Sequence, residues 1–179
     1  MNYQSVLDFW FNELTPAHWW KKDEVLDKTI AERFTGLHEQ ATRNELFGWR
    51  THAKGALAEI IVLDQFSRNI YRDLPAAFAS DAQALALAQT AIGQGVDQAL
   101  SPVERSFLYL PFMHSESRLI HQQAVALYTQ LGEALNLEFE LKHKVIIDRF
   151  GRYPHRNTIL GRNSSAEEMD FLTQPGSSF

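Results

Sequence analysis

Residues 55–72, reading GALAEIIVLDQFSRNIYR, constrain this chain more than any other stretch. From Ala56 to Leu63 the run is apolar on nearly every side of a helical wheel. A helix of that kind is buried rather than laid on a surface. It falls far short of the ~18–20 apolar residues that a membrane span needs. The character then reverses, with Asp64, Gln65, Arg68, Asn69 and Arg72 arriving within three turns while Phe66, Ile70 and Tyr71 keep a second edge apolar. Asp64, Arg68 and Arg72 step by four, so they are expected to stack along one edge, with the acid one turn ahead of the cation. Unpaired buried charge is very costly, so a buried helix that ends in charge must find partners for it.

Composition bounds where those partners come from. At 179 residues the chain is expected to form one domain with a substantial core. Its 45% hydrophobic and 22% charged content is ordinary for a folded soluble protein. A net charge of −5 argues against a whole-surface nucleic-acid or anionic-membrane binder. With no cysteine there are no disulfides, thiolate metal sites or cysteine nucleophiles, which fits a reducing compartment. The opening MNYQSVLDFW has no basic segment followed by an apolar one, so no signal peptide is read and a cytoplasmic location is expected. The charge is uneven: Lys142, Lys144, Arg149, Arg152, Arg156 and Arg162 face Asp148 alone between residues 142 and 162.

Helix signals recur along the whole chain. Asn2 caps a short helix with Val6, Leu7, Trp10 and Phe11 on one face, and Thr15-Pro16 starts a turn carrying Trp19 and Trp20, read as a packing plug. Asp23 caps a long amphipathic helix through Leu26, Ile30, Phe34, Leu37 and Ala41 that Asn44 and Gly48 break. Thr51 or His52 opens the central helix, and Asp73-Leu74-Pro75 closes it. Ser80 caps an Ala-rich helix to about Ile92, and Ser101-Pro102-Val103-Glu104 starts another that Pro111 is expected to interrupt. A helix through Leu119 to Leu131 stops at Gly132; the next, from about Leu137 to Phe150, is expected to bury Phe139, Val145, Ile146 and Phe150. Residues 152–157 are expected to form a loop. Ser164 or Ser165 caps a last helix containing Met169, Phe171 and Leu172, and residues 174–179 are expected to fray. No stretch alternates with period two, so the fold class is all-α, built of antiparallel helical hairpins. No tetratricopeptide consensus repeat is visible.

Three segments wedge charge and amide groups between bulky apolar residues: 63–72, 112–117 and 149–157. Each lies at a helix end or break, and in an antiparallel array such ends are expected to converge on one rim. The rim would hold Asp64, Gln65, Arg68, Asn69, Arg72, His114, Ser115, Glu116, Arg149, Arg152, His155, Arg156 and Asn157. All of these except Ser115 are the candidate ligand contacts.

The segments LDQFSRNIYR, FMHSES and RFGRYPHRN, with VLDFWF and WWKKD near the start, resemble a widespread bacterial family known only as a domain of unknown function. The resemblance runs from Val6 to about Leu172. It implies an all-α, tetratricopeptide-like fold in a soluble protein, and it implies no activity. The family pattern has a proline after LDQF, where this chain has Ser67.

Three function classes follow. Guanidinium forks bind carboxylate or phosphate, and more arginine than acid would leave positive charge for a small anion or a peptide carboxylate. A hydrolase would use Asp64, His114, Glu116 or His155 as acid, base or nucleophile activator. A closed polar network in a protein-interaction scaffold would have no ligand at all. No HExxH, G-x-S-x-G, GxxxxGK[ST] or GxGxxG motif is present. His114, Glu116 and His121 match no common metal spacing, so neither metal nor cofactor is expected. Phe150 and Tyr153 in the basic stretch resemble a stacking platform for RNA, but the acidic remainder argues against nucleic acid.

Overall fold

Buried backbone must be hydrogen-bonded, and this chain meets the demand with helices throughout. The computed structural model describes residues 1–178, and every regular element among them is helical. None of the helices is long and apolar enough to cross a membrane. The described chain divides into two compact units. Unit 1 holds Met1–Arg72 and Ala76–Pro111; unit 2 holds Asp73–Pro75 and residues 112–178.

Unit 1 begins with α1 (Tyr3–Asp8), whose Asn2 cap accepts from the Ser5 amide at 3.1 Å, and runs on into a π-helical turn at Phe9–Glu13. The short α2 (Pro16–Trp20) follows, then α3 (Glu24–Thr42), capped by Asp23 and burying Leu26, Ile30, Phe34, Leu37 and Ala41 as their spacing predicts. The central helix is α4 (Ala53–Ile61), a π-helical turn at Val62–Phe66 and α5 (Ser67–Ile70) in unbroken succession. Residues 55–67 are all buried. The aromatic core around them includes Phe9, Trp10, Phe34, Phe66 and Phe107, with ring centroids 4.7–6.0 Å apart. Trp19 and Trp20 both pack on Phe107, though Trp20 leaves most of its surface in solvent.

The remaining helices of unit 1 are α6 (Asp81–Gly93) and most of α7 (Pro102–Met113). Ser80 precedes α6, but its side chain makes no capping bond. Ser101 and Glu104 make the reciprocal cap of α7 at 2.9 and 3.4 Å. Pro111 does not interrupt α7, which carries on through Met113. Proline there removes one amide bond, and only two residues follow before the helix ends, so little backbone is left to disturb.

Unit 2 takes the last residues of α7, then α8 (Arg118–Leu131), α9 (Ala134–Phe150) and α10 (Ala166–Leu172). Gly132 and Gly151 end α8 and α9 in the left-handed conformation, at φ 81° and 72°. Arg118 reaches the Asp148 carbonyl and His121 reaches Glu140, so α8 and α9 form an antiparallel hairpin. A 3-10 turn occupies Pro154–Arg156, inside the segment expected to be a loop. Ser165 and Glu168 form the capping box of α10. Residues 173–177, within the segment expected to fray, make turns in which Ser177 donates to the Leu172 carbonyl at 3.2 Å. Residue 179, where that expectation ended, lies outside the described residues.

The larger correction concerns α9. It starts three residues earlier than expected and turns a different face inward: Glu140, His143, Ile146 and Ile147 are buried. Phe139 and Val145, expected in the core, keep 48% and 65% of their surface in solvent. Apolar spacing alone does not register that Glu140 and His143 have polar partners waiting inside.

Gly55 gives a direct test of the packing in unit 1. A Cβ there would stand 2.2 Å from the Trp49 carbonyl oxygen, and backbone cannot swing aside as a flexible side chain can. Gly55→Ala is expected to lower unfolding free energy in denaturant titration by roughly 1–3 kcal/mol. Gly36, inside α3, is the control, because a Cβ added there would meet nothing within 4 Å. Gly36→Ala should gain roughly 0.5–1 kcal/mol of helix preference. Equal stability for both variants would contradict this packing.

Candidate functional site

In unit 1 the polar half of the central helix is locked by carboxylates from elsewhere in the chain. Of the expected Asp64–Arg68–Arg72 stack, Arg68 keeps its place one turn after Asp64, while Arg72 turns away to Asp27. Arg68 lays its fork on Asp81 at 2.9 and 3.0 Å. It also donates to the Asp64 carbonyl at 2.7 Å and lies 3.4 Å from the Asp64 carboxylate. Asp64 itself is buried and accepts from the Gln65 amide at 2.6 Å. Arg72 and Asn69 both turn to Asp27: Arg72 uses Nε and Nη2, and Asn69 donates at 2.8 Å. Ser67 donates to the Leu63 carbonyl at 2.6 Å, leaving its oxygen to accept from His38 Nε2 at 2.7 Å. Burial holds the His38 imidazole below its ordinary range.

Unit 2 brings residues 112–117 and 149–157 together through Glu116 and Tyr153. Glu116 accepts from the Tyr153 amide at 2.7 Å and from the Arg162 fork at 2.6 and 2.9 Å. Burial pushes the Glu116 carboxyl upward, but Arg162 and the Tyr153 amide outweigh it and the net shift is downward. Arg162 also donates to Asn157 at 2.9 Å, and Asn157 donates to Ser164 at 3.0 Å. Arg152 pairs with Glu168 at 2.6 and 2.8 Å, which with the Ser165 cap holds that carboxyl down to about 2. Arg149 reaches Glu167 at 2.8 Å and lies over Phe150. Arg156 is buried with its guanidinium 4.6 Å from the Tyr153 ring centroid, and the His155 ring tilts against the same tyrosine.

Beneath Tyr153 lies a set of imidazoles. The Tyr153 hydroxyl donates to the Met113 carbonyl at 2.5 Å. His121 Nε2 faces the Ser115 carbonyl at 2.8 Å, so that nitrogen carries the hydrogen. His121 Nδ1 stands 2.7 Å from Glu140 Oε1, and both side chains are fully buried. Burial pushes the Glu140 carboxyl up against the pull of His121, and among the described residues its second oxygen has no hydrogen-bond partner. His143 donates to the Phe139 carbonyl at 2.7 Å. Its pKa is pushed down to about 3, by burial first and then by the nearby His114, His121 and His155. Among the described residues no group of three His, Asp or Glu is placed to hold a metal ion.

Arg68, Arg72, Arg149 and Arg152 each have a carboxylate partner within their own unit. Asp27, Asp81, Glu167 and Glu168 supply carboxylates that the sequence pattern did not assign to the site. The Arg162 pairing and the Glu140–His121–His143 set also went unassigned. Ser165 and Glu168 were readable as a cap, and nothing in the sequence signalled Asp27.

Fold and site together define an all-helical protein whose clustered guanidiniums are tied to carboxylates. Residues 6–176 match the family described as bacterial protein of unknown function, DUF924, and the chain belongs to it. It is similar to the solved structure of the protein of unknown function ATU0120 from Agrobacterium tumefaciens, at 40% identity over 95% of this chain and 96% of that one, with a TM-score of 0.90. No curated protein matches.

His143 makes stability depend on pH. The folded chain keeps this imidazole neutral down to about pH 3, whereas the unfolded chain protonates it near its ordinary 6.5. Between those values the unfolded state binds more protons, so stability falls as pH drops, by up to about 1.4 kcal/mol per pH unit. Urea titrations from pH 7 to pH 4 should show a shallower decline for His143→Gln than for the parent chain. Parallel declines would rule His143 out as the source.

Proposed function

We propose that this chain is a helical scaffold that docks another polypeptide on the outward face of α9. The single observation carrying this reading is the set of large apolar side chains that α9 leaves in solvent while it buries Glu140 and His143 beside Ile146 and Ile147. Glu140 and His143 point inward, while Leu135, Phe139, Leu141 and Val145 are 69%, 48%, 46% and 65% exposed. Scattered exposed apolar residues need no explanation, but two apolar ridges on one exposed side of a helix mark an interaction surface. The arginine–carboxylate networks serve the scaffold by pinning helix ends. Buried pairs of this kind fix geometry more than they add stability.

The pairing bears on the other readings too. A small anion at Arg68, Arg72, Arg149 or Arg152 would have to displace a carboxylate already held in a short ion pair. For a hydrolase built on Glu116, that carboxylate would have to leave Arg162.

Two measurements test the reading. Inorganic phosphate and citrate should raise the melting temperature no more than sodium chloride of equal ionic strength. A saturable shift, lost in Arg152→Ala, would favour the anion site instead. A displayed library of amphipathic peptides should yield sequences that bind the parent chain and lose binding to Val145→Glu. The variant changes an exposed position and should alter stability by less than about 0.5 kcal/mol. Peptides that bind both proteins equally would place docking elsewhere.

A further inference from the structure

Resting on the docking reading of α9, we infer that the polypeptide it accepts is a second copy of this chain, laid antiparallel about a twofold axis level with Glu140. The outward face of α9 consists of three ridges, each made of residues four apart. Leu135 and Phe139 form one, Glu138 and Lys142 the next, Leu141 and Val145 the third. The charged ridge lies between the two apolar ones and is joined within the chain at 2.7 Å, with both side chains more than half exposed. Lys142 also lies 5.2 Å from the Phe139 ring centroid, so cation and apolar ridge are continuous.

The positions of these residues are self-complementary. Leu135 and Val145 are equidistant from residue 140, as are Glu138 and Lys142, and Phe139 and Leu141. A second α9 running the opposite way about that level sets Glu138 of each copy beside Lys142 of the other, twice over. On one flank of that charged seam it brings Leu141 of each copy together, and on the other flank Phe139 of each copy. A parallel second helix in register would instead put Glu138 against Glu138 and Lys142 against Lys142, and like charges across an interface are repelled. An isologous contact needs this property: one patch that complements itself under a twofold rotation. The exposed Glu138–Lys142 pair contributes little on its own, so exchanging it for two intermolecular pairs costs little.

The face is small. Leu135 to Val145 spans about 15 Å of helix axis, and one helix face per copy lies below the usual stable-interface size. Association is therefore expected in the micromolar range, not the nanomolar.

Sedimentation velocity of the full chain, from low to hundreds of micromolar, tests the inference with two charge reversals. The parent chain should move from monomer to dimer as concentration rises. Glu138→Lys and Lys142→Glu should each associate about ten-fold more weakly or worse, since each puts like charges at both crossings. An equimolar mixture of the two should recover the dimer, because each then supplies the charge the other lacks. Both positions are exposed, and unchanged circular dichroism and melting confirm that the variants fold. A parent chain that stays monomeric, single variants that dimerise like the parent, or a mixture that fails to recover would each overturn the inference. A monomeric parent chain that still selects Val145-sensitive peptides would sink the second copy while leaving the docking reading in place. Loss of both would sink the two together.

Discussion

Unit 2 turns on one buried pair, Glu140 with His121. Glu140 is fully enclosed on α9, 2.7 Å from His121 Nδ1, and burial pushes its carboxyl up against the pull of the imidazole. His121 is fixed in turn by the Ser115 carbonyl, so the pair ties α9 to α8 and to the segment that follows α7. Rotating α9 to bury Val145 would carry Glu140 and His143 toward the surface and break that connection. The polar pair therefore sets the rotation of the helix, and the apolar ridges face outward as a consequence. A buried polar group with its partner in place can specify a geometry more sharply than apolar contacts, which are non-directional.

Unit 1 solves a related problem in another way. Its central helix goes into the core as an apolar cylinder and comes out as a run of charge. The change happens at a π-helical turn, which gives Asp64 and Arg68 a register different from that of a regular helix. The charges are then taken up by Asp27 on α3 and Asp81 at the start of α6, both far away in sequence. Ser67 satisfies the Leu63 carbonyl and receives His38. The charged groups at the end of this helix thus have partners, as the cost of burying charge unmatched requires.

Much of the fold was legible because the signals were local. Asn2, Asp23 and the Ser101 and Ser165 boxes announce helix starts through side chains that bond amides two or three residues on. The core face of α3 follows from its 3.6-residue spacing. What stayed hidden was long-range. Asp27 lies 45 residues from Arg72, and no spacing rule joins them. The inward face of α9 was not legible because Phe139 and Val145 look like core on a wheel, while Glu140 and His143 look like surface unless His121 and Tyr153 are known to be opposite. At the site, the clustering of 112–117 with 149–157 was readable as chemistry, but the acids that saturate the arginines were not.

The rotation of α9 is the claim on which the docking surface depends, and the absence of cysteine makes it directly measurable. Single cysteines placed by Val145→Cys and Ile147→Cys can be followed with a maleimide at sub-micromolar protein. The cysteine at 145 should be labelled in the folded chain nearly as fast as in denaturant, and the one at 147 only as fast as the chain opens. Protection at 145 with rapid labelling at 147 would mean that α9 turns its apolar ridges inward, contradicting the rotation described.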